Sequence, residues 1–137
     1  MDERDRYAAG MKVRREVLGA AHVDRAQSKL NGFNHGFQDF ITRAAWGEVW
    51  TRPGLDRKTR SCMVLSTMIA LGAWDEYRLH VRAAFNNGLT QNDIQEVILQ
   101  AAIYCGVPKA NHAIKEAESV FAEMGQTPQP IVTMPAE

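Results

Sequence analysis

Apolar residues recur at intervals of three and four through six consecutive segments of this chain, and none of these segments alternates apolar with polar residues. Intervals of three and four place side chains on one face of an α-helix, whereas a half-buried strand needs an interval of two. The segments span residues 2–18, 33–50, 55–71, 74–88, 90–106 and 107–125. They predict an all-α fold, with a single domain of about six helices over residues 1–125.

The ends of several predicted helices carry capping residues. Asp56 is placed to accept the free N–H groups of the third helix, and Thr90 with Asp93 resembles a capping box for the fifth. Asp75, or a neighbour of it, is expected to cap the fourth helix in the same way. Pro108 suits the first turn of the sixth helix, where a missing N–H costs nothing.

Two stretches lack a helical pattern. Residues 19–32 predict a loose connection, in which His22 has a surface role by default. Residues 126–137 contain three prolines and predict a C-terminal tail, or an arm that lies on a neighbouring subunit. Wide apolar faces on several helices of so small a chain predict a homo-oligomer.

Charge and hydropathy exclude several classes of partner. Lys plus Arg number 16 and Asp plus Glu number 16, so no basic excess is present to neutralise phosphates, and nucleic acid is not expected as a partner. The longest apolar run, residues 62–71, is much shorter than the roughly 20 residues of a membrane helix. The charged N-terminus lacks an apolar signal core, and we expect a cytoplasmic protein with no membrane partner.

The cysteines and histidines indicate neither a disulfide framework nor a metal site. Cys62 and Cys105 are far apart and form no CxxC motif, and each lies among apolar residues, as a small core side chain does. The histidines form no HxxxH or HExxH pair, so no metal is expected.

The segment 74–88 carries the clearest candidate for a site. Glu76 and His80 stand one helical turn apart on a stripe that continues through the small residue Ala84, which leaves room for a ligand. A structural role for His80 is the alternative at this point.

A second group of candidates lies around the turn that follows the second helix. Glu48 falls between Trp46 and Trp50, where apolar surface would raise its pKa, unless it reaches solvent past the indoles. Arg52 and Arg60 are suited to a bidentate grip on carboxylates, unless they are ordinary surface arginines.

Three blocks of the chain, residues 46–56, 78–88 and 100–108, resemble the 4-carboxymuconolactone decarboxylase family of the alkylhydroperoxidase D-like superfamily. The resemblance extends over about residues 1–125, and the HxxxAxxxG pattern of the superfamily is present as His80, Ala84 and Gly88. Peroxidase members have a CxxC pair before this histidine, whereas Ala73 and Glu76 occupy those positions here. The dithiol reaction therefore lacks its reacting groups.

The resemblance implies an alkylhydroperoxidase D-like helical bundle that assembles as a hexamer. It also implies loss of carbon dioxide from γ-carboxymuconolactone, in protocatechuate breakdown by the β-ketoadipate pathway. Because the conjugated lactone is its own electron sink, no cofactor is expected.

The residues that would carry this reaction follow from the same resemblance. His80 would be the general acid or the oxyanion donor, and Glu48 the rival proton donor. Arg52 and Arg60 would bind carboxylates of the substrate. Glu76 would orient His80, or would pair with a basic side chain. Tyr104 and His112 are weaker candidates for the pocket. The alternatives are a thiol-dependent peroxidase or reductase that uses Cys62 or Cys105, and a noncatalytic binder of an aromatic-acid metabolite.

Overall fold

The structure is a computed structural model that describes residues 2–132, which contain helices and no strand. The helices are α1 (Glu3–Leu18), α2 (Ala20–Ser28), α3 (His35–Ile41), α4 (Arg57–Leu71), α5 (Trp74–Ala84), α6 (Gln91–Cys105) and α7 (Val107–Glu123). A π-helix, Thr42–Val49, follows α3 directly, and a 3-10 turn, Phe85–Asn87, follows α5. The prediction of an all-α fold is confirmed. Part of the predicted tail, residues 133–137, lies outside the described residues.

The loose connection expected at residues 19–32 is wrong, because most of it forms α2. Gly19, at φ 93°, ends α1 and starts α2 in a backbone conformation that favours glycine. Only Val23 of α2 is buried, so the helix has almost no apolar stripe from which it could be recognised.

The segment 33–50 is helical from His35 onward. The phenylalanines of its expected apolar stripe, however, are exposed and not buried in the core. Phe33 is 98% exposed, and Phe37 and Phe40 are also exposed. The second half of the segment widens into the π-helix, a form that is rare and often found at functional sites.

Most of the expected caps are present. The Asp56 carboxylate accepts from the Thr59 N–H at 2.7 Å, and Thr90 with Asp93 forms the capping box. Asp75, by contrast, makes no capping hydrogen bond to α5.

Helix α5 lies between two apolar clusters. On one side Tyr77, Val81 and Ala84 pack with residues of α4, α6 and α7 in the larger cluster. On the other side Ala83 packs with α1, α2 and the π-helix around Val17, Val23 and Trp46. Because both faces of α5 are packed, its position in the fold is well defined.

Helix α1 and the π-helix approach each other through glycine. A Cβ on Gly10 would lie 2.1 Å from the Thr42 carbonyl oxygen and 2.8 Å from the Gly47 nitrogen. A Cβ on Gly47 would lie 2.4 Å from the Arg6 carbonyl oxygen. The contact therefore requires residues without side chains on both helices.

Large apolar side chains are exposed where α4 and α6 end and α7 begins, at Leu71, Ile103, Tyr104 and Val107. In residues 2–132, no helix combines the length and the hydropathy needed to cross a membrane.

Candidate active site

His80 lies at the wall of an open cavity of about 700 Å³ that is lined by α1, α2, α3, α5 and the π-helix, with Met68 contributed by α4. The side chain of His80 is only 8% exposed. Apolar side chains, among them Leu18, Trp46 and Leu79, form part of the wall. The cavity has the size and the mixed lining that are typical of a small-molecule site.

Contacts between α5 and α7 hold α5, and therefore His80, in position. The Tyr77 hydroxyl, whose pKa is raised by burial, donates to the Ala113 carbonyl oxygen at 2.9 Å. Arg78 pairs with Glu116 at 2.7 Å, and Arg82 pairs with Glu123 at 2.7 Å. His80 thus projects from a helix that is held on its opposite face, as a catalytic group requires.

Burial, together with the smaller effect of the charge of nearby His22, lowers the pKa of His80 to about 4. The imidazole is therefore neutral at pH 7 in the ligand-free protein. Its Nδ1 atom is buried and has no hydrogen-bond partner among residues 2–132. The expected orienting hydrogen bond from the His80 ring to the Glu76 carboxylate is absent from the described residues, although Glu76 lies on the same cavity.

The lowered pKa of His80 predicts a dependence of stability on pH. The unfolded chain binds more protons than the folded one between about 4 and 6.5, so the free energy of unfolding decreases as pH falls through this window. For a pKa shift of this size, the free energy of unfolding should decrease by on the order of 3 kcal/mol between pH 6.5 and pH 4. We expect urea unfolding to show a larger decrease in the free energy of unfolding on acidification for the wild type than for His80→Gln, with a difference of about this size. His22 titrates in both proteins, so parallel curves would contradict the prediction.

Arg14 is the most buried charged residue at the cavity, with 4% of its surface exposed. Its guanidinium group donates to the Gln38 side-chain oxygen at 3.0 Å and to the Thr42 hydroxyl at 3.5 Å. Burial lowers the pKa of Arg14 from its ordinary value, but an arginine remains cationic at neutral pH. Arg14 is not among the site residues predicted from the sequence.

Helix α2 and the residue after it supply a second group of basic residues to the cavity, His22, Arg25 and Lys29. Burial lowers the pKa of His22, and the charges of Arg14 and Arg25 lower it further. These residues are not among the predicted site residues because residues 19–32 predict a loose connection. The intervals of three and four between His22, Arg25 and Lys29 are the signal that could have identified them.

Glu48 does not line the His80 cavity. Its carboxylate accepts from Arg6 and, at 3.5 Å, from Arg52, and its side chain is 49% exposed. Of the two alternatives for this carboxylate, the structure shows the second: it reaches the surface past Trp46 and Trp50, where it pairs with the two arginines. No contact in the described structure supports Glu48 as a proton donor to a ligand beside His80.

Arg52, Arg60 and Tyr104 also lie outside this cavity. The Arg52 side chain is exposed, and its carbonyl oxygen accepts from Arg60 at 3.2 Å. Arg60 lines a smaller recess of about 250 Å³ beside Trp50 and α4. Tyr104 is 80% exposed on α6. These side chains were expected at one site with His80, but the fold places all three outside the His80 cavity.

Neither cysteine lines the cavity. Both are half-buried, and burial raises the pKa of the Cys62 thiol, which disfavours the reactive thiolate. His112 stacks on Trp74 with ring centroids 4.0 Å apart and pairs with Glu116, so its contacts are those of a packing residue. Within residues 2–132, no cluster of three or more His, Cys, Asp or Glu side chains could hold a metal ion.

Comparison with known proteins shows the family of the chain. The model of the carboxymuconolactone decarboxylase family matches residues 35–119. The chain is 49% identical to the 4-carboxymuconolactone decarboxylase of Acinetobacter baylyi over 131 residues, which cover 96% of this chain and 98% of that protein. It is 43% identical to the nitrosuccinic acid decarboxylase npaB of Metarhizium robertsii, over 86% of this chain and 82% of that protein.

A third relative, a 4-carboxymuconolactone decarboxylase of Pseudomonas putida, is 65% identical over 48 residues, which are 35% of this chain and all of that sequence. The near-complete coverage of the Acinetobacter protein and the match to the family model agree with each other. The chain belongs to the carboxymuconolactone decarboxylase family.

Proposed function

We propose that the chain is a cofactor-independent decarboxylase that converts γ-carboxymuconolactone to β-ketoadipate enol-lactone and carbon dioxide, in protocatechuate catabolism. The observation that carries the proposal is the cavity in which His80 faces the basic side chains of α1 and α2. The 49% identity to a 4-carboxymuconolactone decarboxylase over nearly the whole chain supports the same reaction.

The reaction needs no external electron acceptor. The bond between the ring carbon and the departing carboxylate breaks, and its electron pair moves through the ring double bond toward the lactone carbonyl. Carbon dioxide leaves, and the ring becomes a dienolate. A proton added to the carbon α to the carbonyl then gives the enol-lactone, with the acetate arm unchanged. The protein must bind an anionic substrate, stabilise the developing oxyanion and deliver one proton.

The lining of the cavity suits the first of these tasks. Arg14, Arg25 and Lys29 supply positive charge, with Glu76 as the acidic residue of the described lining. The apolar wall around Trp46 and Leu79 suits the departing group, because a carboxylate loses its localised charge as carbon dioxide forms. A cation that gripped this carboxylate would stabilise the ground state and slow the reaction.

His80 is the group that we assign to the remaining two tasks. In the ligand-free protein its imidazole is neutral and retains one N–H that can donate to the dienolate oxygen. A bound substrate carboxylate nearby favours the protonated imidazole, because an opposite charge raises a histidine pKa. His80 would then transfer its proton to the α carbon and regain one from water after the product leaves.

A nitro acid is a second candidate substrate, favoured by the 43% identity to a nitrosuccinic acid decarboxylase. A nitro group on the carbon that loses carbon dioxide accepts the electron pair much as the conjugated lactone does. Both compounds also keep one carboxylate after the other has left. Assays with the lactone and with nitrosuccinate, run in parallel, decide which substrate has the higher kcat/KM.

Turnover should not depend on thiols. We expect a Cys62→Ala, Cys105→Ala variant to retain kcat/KM for the lactone within about twofold, since neither cysteine lines the cavity. The measurement follows loss of the lactone by absorbance and release of carbon dioxide, with peroxide reduction by a dithiol as the control reaction. Lactone binding without carbon dioxide release would instead support a noncatalytic binder, and thiol-dependent peroxide reduction would support a peroxidase.

We also propose that the chain forms a homo-oligomer, a hexamer as the family resemblance implies. The apolar side chains exposed at Leu71, Ile103, Tyr104 and Val107 support this assembly, because such a cluster is costly to leave in water. Light scattering coupled to size-exclusion chromatography measures the subunit number directly.

A further inference from the structure

The geometry of the cavity points to Arg14 as its specific anion anchor: we propose that Arg14 binds the carboxylate that the substrate keeps, which is the acetate arm of the lactone. This inference rests on the proposed function for the identity of the substrate. It assigns the recognition of that carboxylate to a residue of α1 that lies outside the motifs of the family resemblance and outside the matched residues 35–119.

Arg14 is buried and lacks an anionic partner, whereas the other arginines without an ion pair in residues 2–132, Arg4, Arg25 and Arg60, are not buried. Arg15 pairs with Asp24 at 2.7 Å, and Arg57 pairs with Glu16 at 2.7 Å. Within residues 2–132, no carboxylate lies at salt-bridge distance from Arg14, and its hydrogen-bond partners Gln38 and Thr42 are neutral. A buried cation without a counter-ion is strongly disfavoured, so a ligand that brings the missing negative charge is expected.

The two neutral contacts leave one edge of the guanidinium group without a full set of hydrogen-bond partners. Gln38 and Thr42 accept from the two terminal nitrogens, whereas Nε is buried and has no partner in the described chain. Nε and the adjacent terminal nitrogen form the edge that takes a carboxylate side-on, through two parallel hydrogen bonds. The terminal nitrogen that donates to Gln38 retains a second hydrogen for this purpose.

The surrounding fold holds this guanidinium group in place. Arg14 lies one helical turn after Gly10, where α1 makes its closest approach to the π-helix. The Thr42 hydroxyl donates to the Gln38 carbonyl oxygen at 2.7 Å, which fixes one of the two side chains that contact Arg14. Anchors held in this way lose little entropy on binding, unlike the exposed Arg25 and Lys29 of α2.

The chemistry of the reaction decides which carboxylate Arg14 holds. A bidentate ion pair to the departing carboxylate would be lost in the transition state and would oppose the reaction. An ion pair to the acetate arm is unchanged between ground state and transition state and orients the ring beside His80. Arg14 is therefore a binding residue, and its loss should appear mainly in KM.

The test compares Arg14→Gln and Arg14→Met with the matched control Arg15→Gln. Arg15 is the neighbouring arginine, pairs with a carboxylate and lies outside the cavity lining. Two probes separate binding from turnover: a saturated γ-lactone with an acetate arm, and the methyl ester of the same compound. Isothermal titration calorimetry gives their Kd values, and steady-state kinetics with γ-carboxymuconolactone give kcat and KM.

We expect the wild type and Arg15→Gln to bind the acid about 10- to 100-fold more tightly than the ester, the usual effect of a hydrogen-bonded charge. The Arg14 variants should lose this preference and show a similar rise in KM with a smaller change in kcat. An unchanged acid preference and a KM within about twofold of wild type in both Arg14 variants would overturn the proposal. If the wild type shows the preference but never releases carbon dioxide, the anchor stands and the proposed function fails.

A measurement on the wild type alone covers the case in which the variants do not fold. Nuclear magnetic resonance of arginine side chains reports each guanidinium Nε–H separately. The Arg14 Nε–H resonance should shift on addition of the acid and not of the ester, whereas the Arg15 resonance should not respond to either. A shift confined to other arginines would overturn the assignment.

Discussion

Turnover of the lactone should fall about 10²- to 10⁴-fold when His80 is replaced by glutamine, the range that a positioned acid–base group contributes. Glutamine can still donate a hydrogen bond to the dienolate oxygen, but it cannot transfer a proton to carbon at neutral pH. The loss should therefore appear in kcat, with KM changed little, because the carboxylate anchors remain. Steady-state kinetics on folded protein, checked by circular dichroism, provide the measurement.

His112→Gln is the matched control for this substitution. His112 is the histidine that stacks on Trp74 outside the cavity, so kcat should stay within about twofold of wild type. The pH profile of kcat adds a second readout, since the ionisation of His80 should be absent from the profile of His80→Gln. A kcat for His80→Gln close to that of wild type would remove His80 from the mechanism and leave the cavity with a binding role only.

Gly10→Ala should lower the free energy of unfolding by about 3 kcal/mol or prevent folding, although alanine is the better helix former. The helical preference of alanine is worth about 1 kcal/mol. The added Cβ would lie 2.1 Å from the Thr42 carbonyl oxygen and 2.8 Å from the Gly47 nitrogen, and neither backbone atom can rotate away. The steric cost therefore exceeds the gain in propensity. Urea unfolding followed by circular dichroism measures the difference.

Gly36→Ala is the control, because a Cβ at that position in α3 meets nothing within 4 Å. Stability should be unchanged or increased by up to about 1 kcal/mol. If Gly10→Ala still folds, the separation of α1 from the π-helix should displace Arg14 and weaken binding of the acid. Wild-type stability and affinity in Gly10→Ala would show that α1 and the π-helix do not approach as closely as described.

Local signals account for the helices that were predicted correctly. Asp56 and the Thr90–Asp93 capping box lie next to the N–H groups that they satisfy, so a few residues are enough to locate each helix end. Helix α2 was missed because Val23 is its only buried residue, and a helix with one buried side chain has almost no period to detect.

The candidate site was predicted in part. His80 and Glu76 share the cavity because they share one face of α5, and that relation is visible in their spacing. Glu48, Arg52 and Arg60 are close to one another in sequence and in space, but their contacts are with each other and with Arg6. Whether these three residues lie beside His80 depends on how separate helices pack, and their spacing in the sequence does not show this packing.

The all-α class, most helix limits, the family and the histidine on α5 could be predicted from the amino-acid sequence, because each depends on neighbouring residues or on a short motif. The charges that face that histidine could not, because they come from distant segments. The packing of α1 and α2 against α5 brings Arg14 and His22 to His80 from segments more than 50 positions away. The pKa of a buried group and the partner of a buried cation depend on neighbours across space, and chain packing sets those neighbours.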